Sequence, residues 1–295
     1  MIREILYQAL VPAMAGAGFS RMKTIGNAMG GVMWGALPRR RQNAVQTISE
    51  RLEMDPEAAA SIARSSFAHS ARSFLEIFLT RSVDHRFFED RMVLDDPDMT
   101  RRFIECNRPV VGVTGHLGAW ELQVGILNLL FGFERLKQVV VRLPKDQVLA
   151  RLIVHLRTQP GVEIVPHRDA AAKALAYLRK NGVTAFLVDH NCKRSEALFL
   201  PFLGRVAAVN MGPALLAVRS KATVWPVFLT REPHGGYRGH VLSPLDTRDL
   251  CGTTKDKVRA TALFYTRAVE TMVRRYPEQW FWMHNRWKTR PMHNI

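Results

Sequence analysis

The chain has 295 residues, 42 Lys and Arg against 26 Asp and Glu, and a formal net charge of +16. A 47% hydrophobic share excludes wholesale disorder, and three scattered cysteines, Cys106, Cys192 and Cys251, exclude a disulfide scaffold and fit a reducing compartment. The positive field points to an anionic partner, whether nucleic acid, lipid head groups or an acidic protein.

The first elements are apolar and basic in turn. Ile5 to Ser20 carries no formal charge, and a second weakly apolar stretch follows from Thr24 to Leu37. Neither reaches the ~20 apolar residues of a spanning helix, and no secretory cleavage pattern closes the first run. The region ends in Pro38-Arg39-Arg40-Arg41. Apolar segments punctuated by arginine suit helices lying in a membrane interface, and equally suit N-terminal helices packed on the body of the protein. Residues 1–37 are therefore candidate interfacial helices.

From Ala44 to Phe78 the spacing is helical. Asp55-Pro56-Glu57 supplies a cap and a first-turn proline, and Ile62, Phe67, Phe74, Leu75 and Phe78 follow as a core stripe. After Arg108 the pattern changes to alternation. Strands are predicted at Pro109–Thr114, Gln138–Arg142, Val162–Val165 and Val183–Val188. Helices fall between them at Ala119–Phe131, Asp146–Thr158 and Asp169–Asn181. A short strand (Leu198–Phe202), a helix (Met211–Ser220) and a hairpin (Thr223–Leu229 with Tyr237–Leu242) come next, and a helix over Asp256–Arg275 closes the series. Such alternation predicts an α/β fold with a mostly parallel central sheet flanked by helices, preceded by a helical extension. No linker or repeat divides it, so residues 1–295 read as one domain.

Ligands of open parallel sheets bind beyond the carboxyl ends of the strands. Gly115-His116-Leu117-Gly118-Ala119-Trp120-Glu121 stands there, directly after the first predicted strand of the alternation. A histidine at this place suits general-base work near neutral pH. Glu121, five residues on, is expected to accept a hydrogen bond from the imidazole and fix its tautomer. Amides at the helix start offer partial positive charge to an oxyanion or phosphate. The glycine spacing does not match a dinucleotide fingerprint. The chain has no GxSxG elbow, P-loop, HExxH or paired-cysteine pattern, and direct activation of an alcohol by a base requires none. His155, His167 and His190 read as surface or supporting groups, with His190, next to Asp189, the leading exception.

The segment VTGHLGAWE resembles the HxxxxD/E block of bacterial lipid A lauroyl/myristoyl acyltransferases and the related phosphatidylinositol mannoside acyltransferases. The likeness continues through VVRLPKDQ (140–147), FLVDHN (186–191), FLPFLGRVAAVNMGPALLA (199–217) and the tail PEQWFWMHNRWKTRP (277–291). It implies a glycerolipid-acyltransferase-like fold and transfer of a fatty acyl group from acyl carrier protein or acyl-CoA to a hydroxyl of an anionic membrane glycolipid. It implies His116 as base oriented by Glu121, with Arg142 and Asp189 as substrate-binding groups and no cofactor or metal. Attachment to the cytoplasmic face of a bacterial inner membrane, peripheral or through the N-terminus, is implied as well. The positive charge then has a use, since Arg39–Arg41, Arg142, Lys145, Lys193, Arg194 and Arg205 would meet an acidic carrier protein or lipid phosphates. In the tail, Trp280, Phe281, Trp282 and Trp287 are expected to close the core or a membrane-facing edge while Arg286 and Lys288 reach phosphates. Nucleic acid is not the expected partner. Two other readings stay open on the residues alone: a non-catalytic basic protein that binds anionic lipid or nucleic acid, and a thioesterase or lipid hydrolase using water as acceptor.

Overall fold

A computed structural model describes residues 2–168 and 170–292, with the side chains of residues 2–10 outside the description. In chain order the helices and strands are α1 (Ile2–Ala36), α2 (Pro38–Leu52), α3 (Pro56–Glu76), α4 (His85–Arg91), β1 (Met92–Leu94), α5 (Pro97–Ile104), β2 (Val110–Thr114), α6 (Gln123–Phe131), β3 (Lys137–Val141) and α7 (Gln147–Arg157). There follow β4 (Val162–Pro166), α8 (Ala170–Arg179), β5 (Val183–Leu187), β6 (Ala197–Phe202), β7 (Arg205–Asn210), α9 (Gly212–Ser220), β8 (Thr223–Arg231), β9 (Tyr237–Val241), β10 (Leu245–Asp246) and α10 (Thr254–Arg275). Asp169, the predicted start of the α8 helix, lies outside the described residues.

The main sheet runs β1-β9-β8-β2-β5-β3-β4, with β10 added against β8. β2 lies parallel to both β5 and β8, and β3 lies parallel to β5 and β4; the β8–β9 hairpin is antiparallel. The mostly parallel sheet is thus present as predicted. Its strands are buried on both faces, which is why they read as continuous apolar runs. The period of two sorts their side chains. Val111, Val113, Val140 and Phe186 join Leu178, Leu216 and Val269 of α8, α9 and α10 on one face. Val110, Val139, Val141 and Val183 join Phe103, Val124 and Leu127 of α5 and α6 on the other. The β6–β7 hairpin stands apart as a two-stranded sheet, tied to α10 by the Leu203 N–H donating to Glu270 (3.0 Å).

The N-terminal helices form a layer beside this sheet. α1 breaks at Gly18, whose φ of 70° is left-handed. Beyond the break, Met22, Gly26 and Gly30 recur every four residues on the buried side. A side chain at Gly30 would sit 2.4 Å from the Ala68 Cα, so glycine is what lets α1 lie against α3. The opposite side leaves Ile25 and Val32 exposed. Among the described residues no helix is long and apolar enough to cross a membrane. α3 starts where predicted, the Asp55 carboxylate accepting from the amides of Glu57 and Ala58.

Candidate active site

His116 lies just past β2 and Asp189 just past β5. The last register pair of these parallel neighbours is Thr114↔Leu187. Each side chain is therefore two residues beyond the same rung, and the two loops leave the sheet side by side. His116 Nδ1 and Asp189 Oδ1 are 2.7 Å apart. The His116 backbone N–H donates to Oδ2 of the same carboxylate (2.7 Å), and so does the Trp280 indole N–H (2.9 Å). An ionised carboxylate only accepts, so Nδ1 carries the imidazole proton and Nε2 keeps its lone pair. Burial opposes the charge on Asp189, but the facing His116 ring and these hydrogen bonds hold its carboxyl well below the usual carboxylate range.

This corrects the expected pairing. Glu121 does not take the imidazole hydrogen bond. It stands on a 3-10 turn, Trp120–Leu122, that precedes α6, and its carboxylate accepts from Arg157 at the end of α7 through two N–H groups (2.8 and 2.5 Å) and from the Trp120 indole (3.2 Å). Both partners are nearly buried, and the bidentate geometry is the strong form of such a pair. Asp189, expected to touch substrate, instead sits behind the ring and is not part of the cavity wall.

The loop itself is fixed by backbone bonds to the tail and to β8. The Phe281 N–H donates to the His116 carbonyl (3.0 Å), Gly118 N–H to the Gln279 carbonyl (3.0 Å) and Ala119 N–H to the Leu229 carbonyl (2.7 Å). Gly118 has φ 62°, and a β-carbon there would meet the Leu229 oxygen at 2.0 Å. No other residue fits. Ser73 of α3 adds a hydrogen bond to the Gly118 carbonyl (2.7 Å). Behind the loop, Arg231 is paired with Glu76 and donates to Ser73 (2.7 Å), a buried polar cluster that ties the helical layer to the sheet.

His116 lines a cavity of about 400 Å³ bounded by residues of β2, β3, β5, β8 and β9 and of α5 and α6. Its mouth carries His116, Glu121, Arg157, Arg142 and His190. Its depth is apolar, with Phe103, Val124, Leu127, Val139, Val227 and Val241 among the lining groups, and Gly112 and Ala185 as small neighbours on β2 and β5. Volume and lining fit an elongated apolar ligand held by a few polar groups at one end. Arg142 lines the cavity and is exposed.

Three imidazoles line up at this end. The His190 ring centroid is 4.0 Å from that of His116 and 5.1 Å from that of His284. Burial and the neighbouring His116 push His190 down to about 3, and burial pushes His284 down to about 4. His284 Nε2 accepts from the Asn191 N–H (2.9 Å), so its proton is on Nδ1. Phe281 and Trp120 flank His116, and half-exposed Phe74 stands edge-on to both.

The sequence pattern of bacterial lipid A biosynthesis acyltransferases matches residues 2–289. The chain belongs to that family. It is 34% identical to the lipid A biosynthesis lauroyltransferase of Escherichia coli K12 over 116 residues, 39% of this chain and 36% of that protein. The palmitoleoyltransferase of the same organism is 31% identical over 118 residues, again 39% and 36%. The phosphatidylinositol mannoside acyltransferase of Mycolicibacterium smegmatis is 26% identical over 229 residues, 76% of this chain and 71% of that protein. The matches to the two lipid A enzymes thus span about a third of their length.

Within this lipid A acyltransferase family member, four residues around the site were not assigned to it from the sequence. Arg157 carries no local signal, being one cation among many on an amphipathic helix. His284, Trp280 and Ser73 come from far along the chain. The tail's aromatic–basic alternation was visible, and its tryptophans close the core as expected, whereas Arg286 does not reach outward. Trp280, Trp282 and Trp287 are buried as core, and Arg286 is also buried, donating to the Ala208 carbonyl (2.6 Å) rather than reaching for phosphate.

Proposed function

We propose that this protein transfers a fatty acyl group from an acyl carrier protein or CoA thioester to a hydroxyl of an anionic membrane glycolipid. The observation that carries the reading is the His116–Asp189 pair at the mouth of a deep apolar cavity. A hydrocarbon chain seated in that cavity leaves its thioester carbonyl beside Nε2. His116 takes the proton of the acceptor hydroxyl as the oxygen attacks the carbonyl carbon. The carbon–sulfur bond breaks, and the imidazolium returns the proton to the departing thiolate. Asp189 holds the ring in the productive tautomer and stabilises its transient charge. No metal or covalent enzyme intermediate is needed for this sequence.

The mouth suits charged head groups. Arg142 is free to meet phosphate, and Glu121 fixes the guanidinium of Arg157 at the rim. Glu121 therefore acts through Arg157 in this reading, and the role of orienting the base passes to Asp189. The exposed apolar groups Ile25, Val32 and Phe74 lie on the helical layer, and with Arg39–Arg41 they suit peripheral attachment to an anionic membrane surface, on the cytoplasmic side where both thioester donors are found.

The test is direct. Purified protein is given a fatty-acyl thioester of acyl carrier protein and a hydroxylated, phosphorylated glycolipid, and products are read by mass spectrometry. The expected product is the glycolipid heavier by one acyl group. His116→Ala, with fold verified by thermal unfolding, should lower turnover by ~10²–10⁴-fold, the scale of general-base assistance. Near-wild-type turnover by that variant would remove the mechanism. Thioester loss at the same rate without acceptor lipid would instead identify a hydrolase.

A further inference from the structure

The reaction proposed above needs a second group that its base cannot supply. As the hydroxyl adds, the carbonyl oxygen takes up a full negative charge, and in a site with little water a positioned donor is worth more than any other single contact. Arg157 is committed to Glu121 through two of its N–H groups. Arg142 stands exposed at the outer rim. The polar ring nearest the base is His190.

Several observations single it out. It follows Asp189 at the end of β5, so the same strand that orients the base also places this ring. Its centroid is 4.0 Å from that of His116, and both rings belong to the cavity wall. Neither of its ring nitrogens has a hydrogen-bond partner among the described residues, and neither is sealed from open space. A half-buried polar ring left without a protein partner beside an open cavity calls for a partner from the ligand. The groups facing it are His116, Asp189, His284 and Arg142. Burial and the adjoining His116 hold it neutral, with its pKa near 3. A neutral imidazole still carries one N–H, and it adds no positive charge beside a base that must itself become cationic. An imidazole kept neutral so that it can polarise a carbonyl is a known catalytic arrangement.

We infer that His190 is a catalytic residue of the acyl transfer, donating a hydrogen bond from its imidazole N–H to the thioester carbonyl oxygen as that oxygen becomes an oxyanion. The inference rests on the acyltransferase reading. In the step, the new acceptor oxygen–carbon bond forms while the carbonyl π pair moves to oxygen, where the His190 N–H receives it. Collapse returns that pair to carbon and expels the thiolate, which is protonated by His116. His190 ends as it began, having transferred no proton.

The experiment compares three variants on a fatty-acyl thioester of acyl carrier protein with a glycolipid acceptor. His190→Phe keeps a flat ring and removes the donor, His190→Gln restores a donor on a flexible stem, and His190→Asn does so with less bulk should the larger side chains disturb the fold. Thermal unfolding checks each. The Phe variant should lose ~10²–10³-fold in kcat, the scale of one oxyanion donor, with KM little changed. Gln or Asn should recover a large part of that loss, and the shape of the kcat/KM profile against pH should stay as in the wild type. Wild-type kcat in the Phe variant overturns the inference. So does a loss confined to KM, amide variants no better than Phe, or a displaced pH profile, which would mark His190 as a group that merely tunes His116. Failure here is separable from failure of the parent reading: an inactive His116→Ala beside a fully active His190→Phe removes only the oxyanion role. A wild-type protein that transfers no acyl group removes both.

Discussion

Two carboxylates flank the mouth of the cavity, and they differ in what they hold. Asp189 is buried behind an imidazole and accepts from His116 twice and from Trp280 once. Glu121 is buried beside a guanidinium and accepts from Arg157 twice and from Trp120 once. Each pair is well satisfied, but only the first leaves a lone pair facing the cavity. The comparison teaches that closeness in sequence is a poor guide to which acid serves a base. Glu121 is five residues from His116 and Asp189 is 73 residues away, yet parallel strands in register bring the distant one to the ring. The nearer one is turned away by the 3-10 geometry of its own segment.

The largest effect should separate the two acids. In Asp189→Asn the side-chain amide can donate to Nδ1, which moves the imidazole proton to Nε2 and removes the base. Turnover should fall by ~10³–10⁴-fold, the scale seen when such a tautomer is reversed, and kcat should carry the loss. Glu121→Gln tests the other side. If Glu121 oriented the imidazole, its kinetic loss would match that of Asp189→Asn. The geometry predicts a smaller kinetic loss, combined with instability: the guanidinium of Arg157 stays buried without a counter-charge, a situation that costs about 3–5 kcal/mol when one partner of a buried pair is removed. Denaturant unfolding of both variants beside steady-state kinetics decides between them. Equal kinetic losses with unchanged stability in Glu121→Gln would reverse the assignment.

Much of this molecule is written in local sequence, and the parts that are not share a cause. The strands β2 to β5 and the helices between them follow from apolar runs and helical spacing, because a sheet covered on both faces demands them. The β8–β9 hairpin follows from its Gly235-Gly236 turn. His116 was legible because glycines and a strand end mark the loop. Its partner was not, since Asp189 becomes a partner only through the Thr114↔Leu187 register, a pairing between segments with three helices and two strands between them. Trp280 and Ser73 are harder still, because their contacts with the loop depend on how the tail and the helical layer fold over the sheet. Glu121 looked like an orienting acid because a regular helix from Ala119 would have been one way to aim it. The break at Ala119–Leu122 and the distant Arg157 decide otherwise.

The smallest prediction uses a third imidazole held neutral, one that has no cavity to serve. His69 lies beside the buried Arg231–Glu76 pair; its Nδ1 accepts from Arg231 at 3.4 Å, and burial with the flanking Arg231 and Arg72 pushes it down to about 2. In the unfolded chain the same ring titrates near the ordinary 6.5. Between those values the unfolded state binds one more proton than the folded state, so stability rises with pH across the window and is lost as pH falls below about 6.5. Integrated from pH 7 to pH 5, one such ring removes about 2 kcal/mol. Urea titrations at the two pH values should therefore show His69→Gln losing about 2 kcal/mol less than the wild type over that interval. His190 and His284, pushed down to about 3 and about 4, carry the same sign, so acid sensitivity should persist in the variant at a reduced slope. An unchanged slope would mean that His69 already charges in the folded state. It would also weaken the parallel case for a neutral His190, since burial is the leading physical cause for both rings.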